Sequence, residues 1–122
     1  MMKKKILVIE DNEDSRHIMR DLLTSAGYEV IEAVTGSGGV TAAVTQDPEL
    51  ILMDIQLPDF DGYEATRRIK ANPTLSAIPI IAVTSYALSG DDVKAFEAGC
   101  DAYVTKPYSP RKLLAKIREY LE

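Results

Sequence analysis

A chain of 122 residues can bury one core of ordinary size and is too short for two, so a single domain over residues 1–122 is expected. Its 46% hydrophobic and 27% charged residues suit a soluble globular protein, and no long polar or repetitive tract points to disorder. A formal net charge of -5 argues against nucleic acid as a partner, because phosphates demand a basic surface. The start, Met1-Met2-Lys3-Lys4-Lys5, has the charge of a secretory leader. The apolar run after it, Ile6 to Ile9, is too short for secretion or for spanning a membrane. The one cysteine, Cys100, can form no internal disulfide, and its small neighbours Gly99 and Ala102 suit a core position. Together these features point to the cytoplasm.

Lys5 to Ile9 reads as a buried strand closed by the acidic turn Glu10-Asp11-Asn12. Ile18, Met19, Leu22, Leu23 and Ala26 recur at the spacing of one helical face, and Gly27 supplies the left-handed residue that ends helices. His17, the only histidine, has no cysteine or second histidine beside it and reads as surface rather than as a metal ligand. Glu29 to Ala33 is a second, shorter strand. The glycines of Thr35-Gly36-Ser37-Gly38-Gly39 lack the Walker lysine and the full dinucleotide fingerprint, so they read as a loose turn into a helix from about Val40 to Gln46. That helix should be the least stable, because glycine and β-branched residues are poor helix formers.

The apolar run Leu50-Ile51-Leu52-Met53, bounded by Pro48 and Pro58, fits a strand buried on both faces, and it ends in the carboxylate of Asp54. Asp61 can cap the next helix with Glu64 three residues on, placing Tyr63, Thr66 and Ile69 inward, and Asn72-Pro73 stops it. Arg67, Arg68 and Lys70 read as a solvated face. Ile80-Ile81-Ala82-Val83 is a fourth buried strand ending in Thr84-Ser85. Val93 and Phe96 mark a helix closed by Gly99. Ala102-Tyr103-Val104-Thr105 is the last strand, ending at Lys106-Pro107. Ser109 then caps a helix with Pro110 in its first turn and Leu113, Leu114, Ile117 and Leu121 as its buried stripe.

Strand and helix alternate through five units, and right-handed crossovers place helices on both faces of a parallel sheet. Ligands of such sheets bind outside the carboxyl ends of the strands, where Glu10, Asp11, Asp54, Thr84 and Lys106 gather. Carboxylates about 4 to 6 Å apart repel by several kcal/mol at an effective dielectric of about 20. A hard divalent cation relieves that repulsion, and an all-oxygen site partly open to water suits Mg2+ or Mn2+. A cation beside a lysine and a hydroxyl is also the equipment of phosphoryl transfer, with Asp54 as an acceptor able to form an aspartyl phosphate.

In these residues the chain resembles the receiver domains of two-component response regulators, of the stand-alone CheY-like or DivK-like type. The resemblance covers essentially the whole chain. It rests on Glu10-Asp11, on Asp54 within Leu-Met-Asp-Ile-Gln-Leu-Pro, on Gly62, on Thr84 and on Lys106-Pro107. It implies a doubly wound, flavodoxin-like (βα)5 sandwich whose five-stranded parallel sheet has the order 2-1-3-4-5. It also implies that Asp54 accepts a phosphoryl group from a sensor histidine kinase or a histidine phosphotransferase. Asp11, Asp54 and the backbone carbonyl of Gln56 then ligate Mg2+, with Glu10 acting through a metal-bound water. Lys106, whose bond to Pro107 is typically cis in the family, pairs with the phosphoryl oxygens. Thr84 and Tyr103 move as the switch. The chain is then no enzyme in the ordinary sense, catalysing only its own phosphorylation and dephosphorylation. The signal leaves through the face of the fourth and fifth helices with the last strand, near Val93, Tyr103 and Tyr108, toward a protein target.

Gln56 and Tyr86 lie two residues beyond Asp54 and Thr84, where side chains of a receiver border the path of attacking water. The size of Tyr86 predicts a phosphoryl lifetime of minutes to hours rather than seconds, which a Tyr86→Ala variant should shorten. A flavodoxin-like cofactor carrier fits less well, because Glu10-Asp11 would repel the flavin phosphate. A haloacid-dehalogenase-type phosphatase needs a carboxylate two residues after its nucleophile, where this chain has Gln56. The other reading is a degenerate receiver that binds a partner without phosphorylation.

Overall fold

Strands that are apolar at every position must be covered on both sides, and the fold follows from that requirement. The computed structural model describes residues 3–57, 59, 62–84 and 91–121. In chain order these form β1 (Lys5–Ile9), α1 (Glu13–Ser25), β2 (Glu29–Ala33), α2 (Gly36–Gln46), β3 (Leu50–Asp54), α3 (Gly62–Ala71), β4 (Ile80–Thr84), α4 (Asp91–Ala98), β5 (Ala102–Thr105) and α5 (Pro110–Leu121). The strands make one parallel sheet in the order β2-β1-β3-β4-β5, as the resemblance implied.

Side chains alternate across the sheet, so each strand feeds two cores. Ile6, Val8, Leu50, Leu52, Ile81 and Val83 pack with Met19 and Leu23 of α1 and with Leu113, Ile117 and Leu121 of α5. Leu7, Ile9, Ile51, Met53, Ile80 and Ala82 pack with Ala43 of α2, Ala65 and Ile69 of α3 and Ala95 of α4. Cys100 is buried in this second core with its sulfur 3.6 Å from the Thr66 hydroxyl, and burial pushes its thiol pKa up, which fits an inert core thiol. The predicted turn residues hold: Gly27 and Gly99 have φ of 94° and 114°, and the Ser109 side chain accepts from the Lys112 amide.

Several expectations change, among them Lys70, which was read with Arg67 and Arg68 as a solvated face but has its ammonium bonded to the Ser76 and Ile78 carbonyls and to Asp101. Helix α2 begins at Gly36, not near Val40, so the glycine run forms its first turn. Ile18, expected on the buried stripe of α1, is 61% exposed, and Met19 and Leu23 carry the packing instead. In α4 the inward residues are Ala95 and Ala98, while Val93 and Phe96 stand about half exposed. The expected Asp61 cap and the end of the fourth strand at Ser85 lie outside the described residues.

Candidate functional site at the carboxyl edge of the sheet

The register of the strands decides which polar groups meet. Ile9 stands beside both Met53 and Ala33, Asp54 beside Val83, and Thr84 beside Thr105. The residues that follow or end these strands are therefore brought to one edge. A hollow of about 440 Å3 there is lined by Glu10, Asp11, Asn12, Ser15, Asp54, Gln56 and Lys106.

The acidic turn after β1 is held from three sides. The Glu10 amide donates to the Ala33 carbonyl at 3.0 Å, which continues the β1–β2 ladder by one residue. Asn12 caps α1 by accepting from the Ser15 amide at 2.9 Å, and its own amide donates to Glu10 Oε2 at 3.2 Å. One turn into α1, Arg16 Nη1 reaches back to the Glu10 carbonyl at 3.2 Å, while its Nε donates to Glu32 on β2 at 3.2 Å. On the far side of the hollow the Lys106 amide donates to the Thr84 carbonyl at 2.7 Å, and the Lys106–Pro107 peptide is cis, as the resemblance implied. Lys106 Nζ lies 2.5 Å from Glu10 Oε1. Both oxygens of Glu10 are thus engaged by this chain's own donors.

Carboxylate oxygens of Glu10, Asp11 and Asp54 all lie within 4.8 Å of one another. Glu10 and Asp54 are buried, at 1% and 7% exposure, and Asp11 is exposed at the mouth. Burial, and then the Glu10 carboxylate hydrogen-bonded beside it, push the Asp54 carboxyl up to about 7, although the Gln56 amide donates to Asp54 Oδ1 at 3.1 Å. Burial alone would raise Glu10 too, but its hydrogen bonds with Asp54 and Lys106 hold it below the usual range. The cation-free pair therefore keeps one proton near neutrality, on the Asp54 side. An all-oxygen set, two members buried and one open to water, fits a hard divalent cation that would replace that proton.

Thr84 ends β4 and is 2% exposed, and Tyr103 packs against the core under α4. The structure thus brings Glu10, Asp11, Asp54, Gln56 and Lys106 around one hollow, with Thr84 joined to Lys106 through the backbone. Tyr86 lies outside the described residues. Sequence reasoning passed over Asn12 and Arg16, which hold the acidic turn, and Asp59, whose carboxylate accepts from the Gly36 and Ser37 amides at 2.8 and 2.9 Å. Asn12 carried a usable signal, an Asn directly before a helix. Arg16 and Asp59 carried none, because their partners are distant in sequence or are backbone groups.

Comparison with known proteins places this geometry in a family. A sequence model of the response regulator receiver domain matches residues 6–118. The polar-differentiation response regulator DivK of Brucella ovis is 41% identical, over 98% of this chain and 98% of its own. Among solved structures, a CheY-like response regulator receiver domain protein of Methanospirillum hungatei is 37% identical with a TM-score of 0.90, over 98% of this chain and 94% of that one. The receiver domain of sensor histidine kinase PA1611 of Pseudomonas aeruginosa is 36% identical with a TM-score of 0.92, over 98% of each chain. A magnesium ion is coordinated in the active site cleft of that protein.

Proposed function

The chain belongs to the response regulator receiver family, and from that premise we propose that it is a phosphorylation-dependent switch of a two-component phosphorelay, with Asp54 as the phosphoacceptor. The observation that carries the proposal is the cluster of Glu10, Asp11 and Asp54 oxygens within 4.8 Å, with the Lys106 ammonium already bound to one of them. Asp11, Asp54 and the Gln56 carbonyl would hold Mg2+ or Mn2+. Glu10, with both oxygens engaged by Lys106 and Asn12, is better suited to a bound water than to direct ligation. When bound, the cation neutralises charge on the clustered carboxylates and on the incoming phosphoryl oxygens.

In the transfer step an ionised Asp54 oxygen attacks the phosphorus of a phosphohistidine on the kinase or phosphotransferase. The O–P bond forms as the P–N bond breaks, and the electron pair leaves with the imidazole nitrogen, which takes up a proton. Lys106 turns from Glu10 to the new phosphoryl oxygens. The Thr84 hydroxyl and the Tyr103 ring follow, a population shift toward contacts that only the phosphorylated form offers. Beside the acidic hollow, an apolar one of about 310 Å3 is lined by Ser15, Ile18, Lys106, Pro107, Tyr108 and Pro110, which supports docking of the phosphodonor next to Asp54. The exposed Val93 and Phe96 of α4 and a groove of about 490 Å3 between β5 and α5 support a downstream protein target on the α4-β5-α5 face. Among the described residues no helix is long and apolar enough to cross a membrane.

The test is incubation with acetyl phosphate, with and without Mg2+, followed by intact mass on the wild type and Asp54→Asn. The expected result is a Mg2+-dependent gain of one phosphoryl group, absent in the variant. No gain in a wild type shown to bind Mg2+ would favour the phosphorylation-independent interaction module. In the same assay Tyr86→Ala should lose its phosphoryl group faster than the wild type, and equal decay would remove the water-exclusion argument.

A further inference from the structure

The segment that leaves β3 carries Gln56, and two sets of hydrogen bonds from its described residues tie it to the rest of the fold. At its base the Gly62 amide donates to the Ile55 carbonyl at 2.8 Å. At its far side both oxygens of Asp59 are bound by the first turn of α2, Oδ1 by the Gly36 amide at 2.8 Å and Oδ2 by the Ser37 amide at 2.9 Å. The next amide of that turn, Gly38, donates to the Thr35 hydroxyl oxygen at 2.9 Å, so three consecutive orphan donors of the helix start are satisfied by side chains. A carboxylate is also the favoured charge at the positive end of a helix.

This turn, Gly36-Ser37-Gly38-Gly39, is a poor helix former and depends on its caps. It also lies against the end of β1: a Cβ on Gly39 would come within 2.4 Å of Cδ1 of Ile9, the residue before Glu10. One helix turn therefore touches both segments that supply the acidic hollow, through packing on the Glu10 side and through Asp59 on the Gln56 side.

We propose that Asp59 is a positioning residue of the cation site: by bonding the first turn of α2 it holds the loop that presents the Gln56 carbonyl, and so couples cation binding to the docking of α2. The inference rests on the reading of the hollow as a Mg2+ site. Coupling of this kind is reciprocal. Mg2+ slows exchange of the Gly36 and Ser37 amides, and removal of the clamp weakens Mg2+ binding by the corresponding factor.

The test is a Mg2+ titration of 15N-labelled protein followed by NMR, on the wild type, Asp59→Ala, Ser37→Pro and Ser37→Ala. Ser37→Pro removes one donor of the clamp while leaving Asp59 intact, and proline is tolerated in a first helical turn. The expected result is a Mg2+ dissociation constant raised about tenfold by Asp59→Ala, raised less by Ser37→Pro, and unchanged by Ser37→Ala. Should Asp59→Ala fail to fold, Asp59→Asn and Ser37→Pro give the same comparison. Wild-type Mg2+ affinity in both clamp variants, with only a lower melting temperature, would make Asp59 a helix cap and nothing more. A wild type that binds no Mg2+ would overturn the reading of the hollow itself, and the inference with it.

Discussion

Asp54 and Glu10 occupy a site where ionising both carboxylates is costly, and the sign of their titration follows from that. In the folded, cation-free protein Asp54 keeps its proton up to about 7, whereas an unfolded chain releases it near the ordinary aspartate value. Between those values the folded state binds more protons, so stability falls as pH rises toward neutrality and the full penalty is present above it. Glu10 is shifted the other way, and its contribution changes below the ordinary glutamate range, so it does not cancel the slope above it. In EDTA, Asp54→Asn should therefore be more stable than the wild type at pH 8 by about 1–3 kcal/mol, with the difference shrinking toward pH 4. Urea midpoints across that range would show it, and a pH-independent difference would contradict the shared proton. Mg2+ at a hundred times its dissociation constant should return about 2.7 kcal/mol to the wild type at pH 8. Asp54 was legible in the sequence because a charge interrupts a run that needs none. Its pairing with Glu10, and the hold of Lys106 on Glu10 across the sheet, were not, because side-chain partners across 96 positions leave no local pattern.

Helix α2 shows where local propensity was overruled. Its glycines read as a loop, and they are helical because Thr35 and Asp59 supply acceptors to three consecutive amides. With the glycines read as a turn and the helix expected from Val40, neither Thr35 nor Asp59 was legible as a cap. Helices α1 and α4 differ for another reason. Their apolar residues follow the helical period, but small alanines suffice to bury α4, and the larger Val93 and Phe96 are left outside. The start of α3 is fixed by space rather than by propensity. A Cβ on Gly62 would lie 2.4 Å from the Asp54 carbonyl oxygen and 2.7 Å from Ile55 Cα, both backbone atoms that cannot rotate away. Gly62→Ala should cost about 2–3 kcal/mol by chemical denaturation and should also weaken Mg2+ binding, because the loop base must shift. A variant as stable as the wild type would contradict the close approach of Gly62 to the Asp54 and Ile55 backbone.

For the molecule as a whole, the architecture was the most legible feature, since doubly buried strands alternating with amphipathic helices admit few arrangements and the carboxyl edge is where such sheets bind ligands. The order β2-β1-β3-β4-β5 rested on the family resemblance, because the helix pattern alone does not say on which side of β1 each strand is laid. With that order, β1 and β3 are neighbours, and the acidic pair and Asp54 meet. The same arrangement leaves the apolar hollow beside Ile18 and the groove along α5 on the outside. The proposed switch depends on Asp54 being the residue that carries the phosphoryl group. The most direct measurement is borohydride reduction of the protein after treatment with acetyl phosphate and Mg2+, followed by peptide mapping, since an acyl phosphate is reduced to an alcohol and an aspartyl phosphate becomes homoserine. Homoserine at position 54, and at no other carboxylate, is the predicted result; reduction at Glu10 or Asp11, or at none of them in a protein that binds Mg2+, would contradict it.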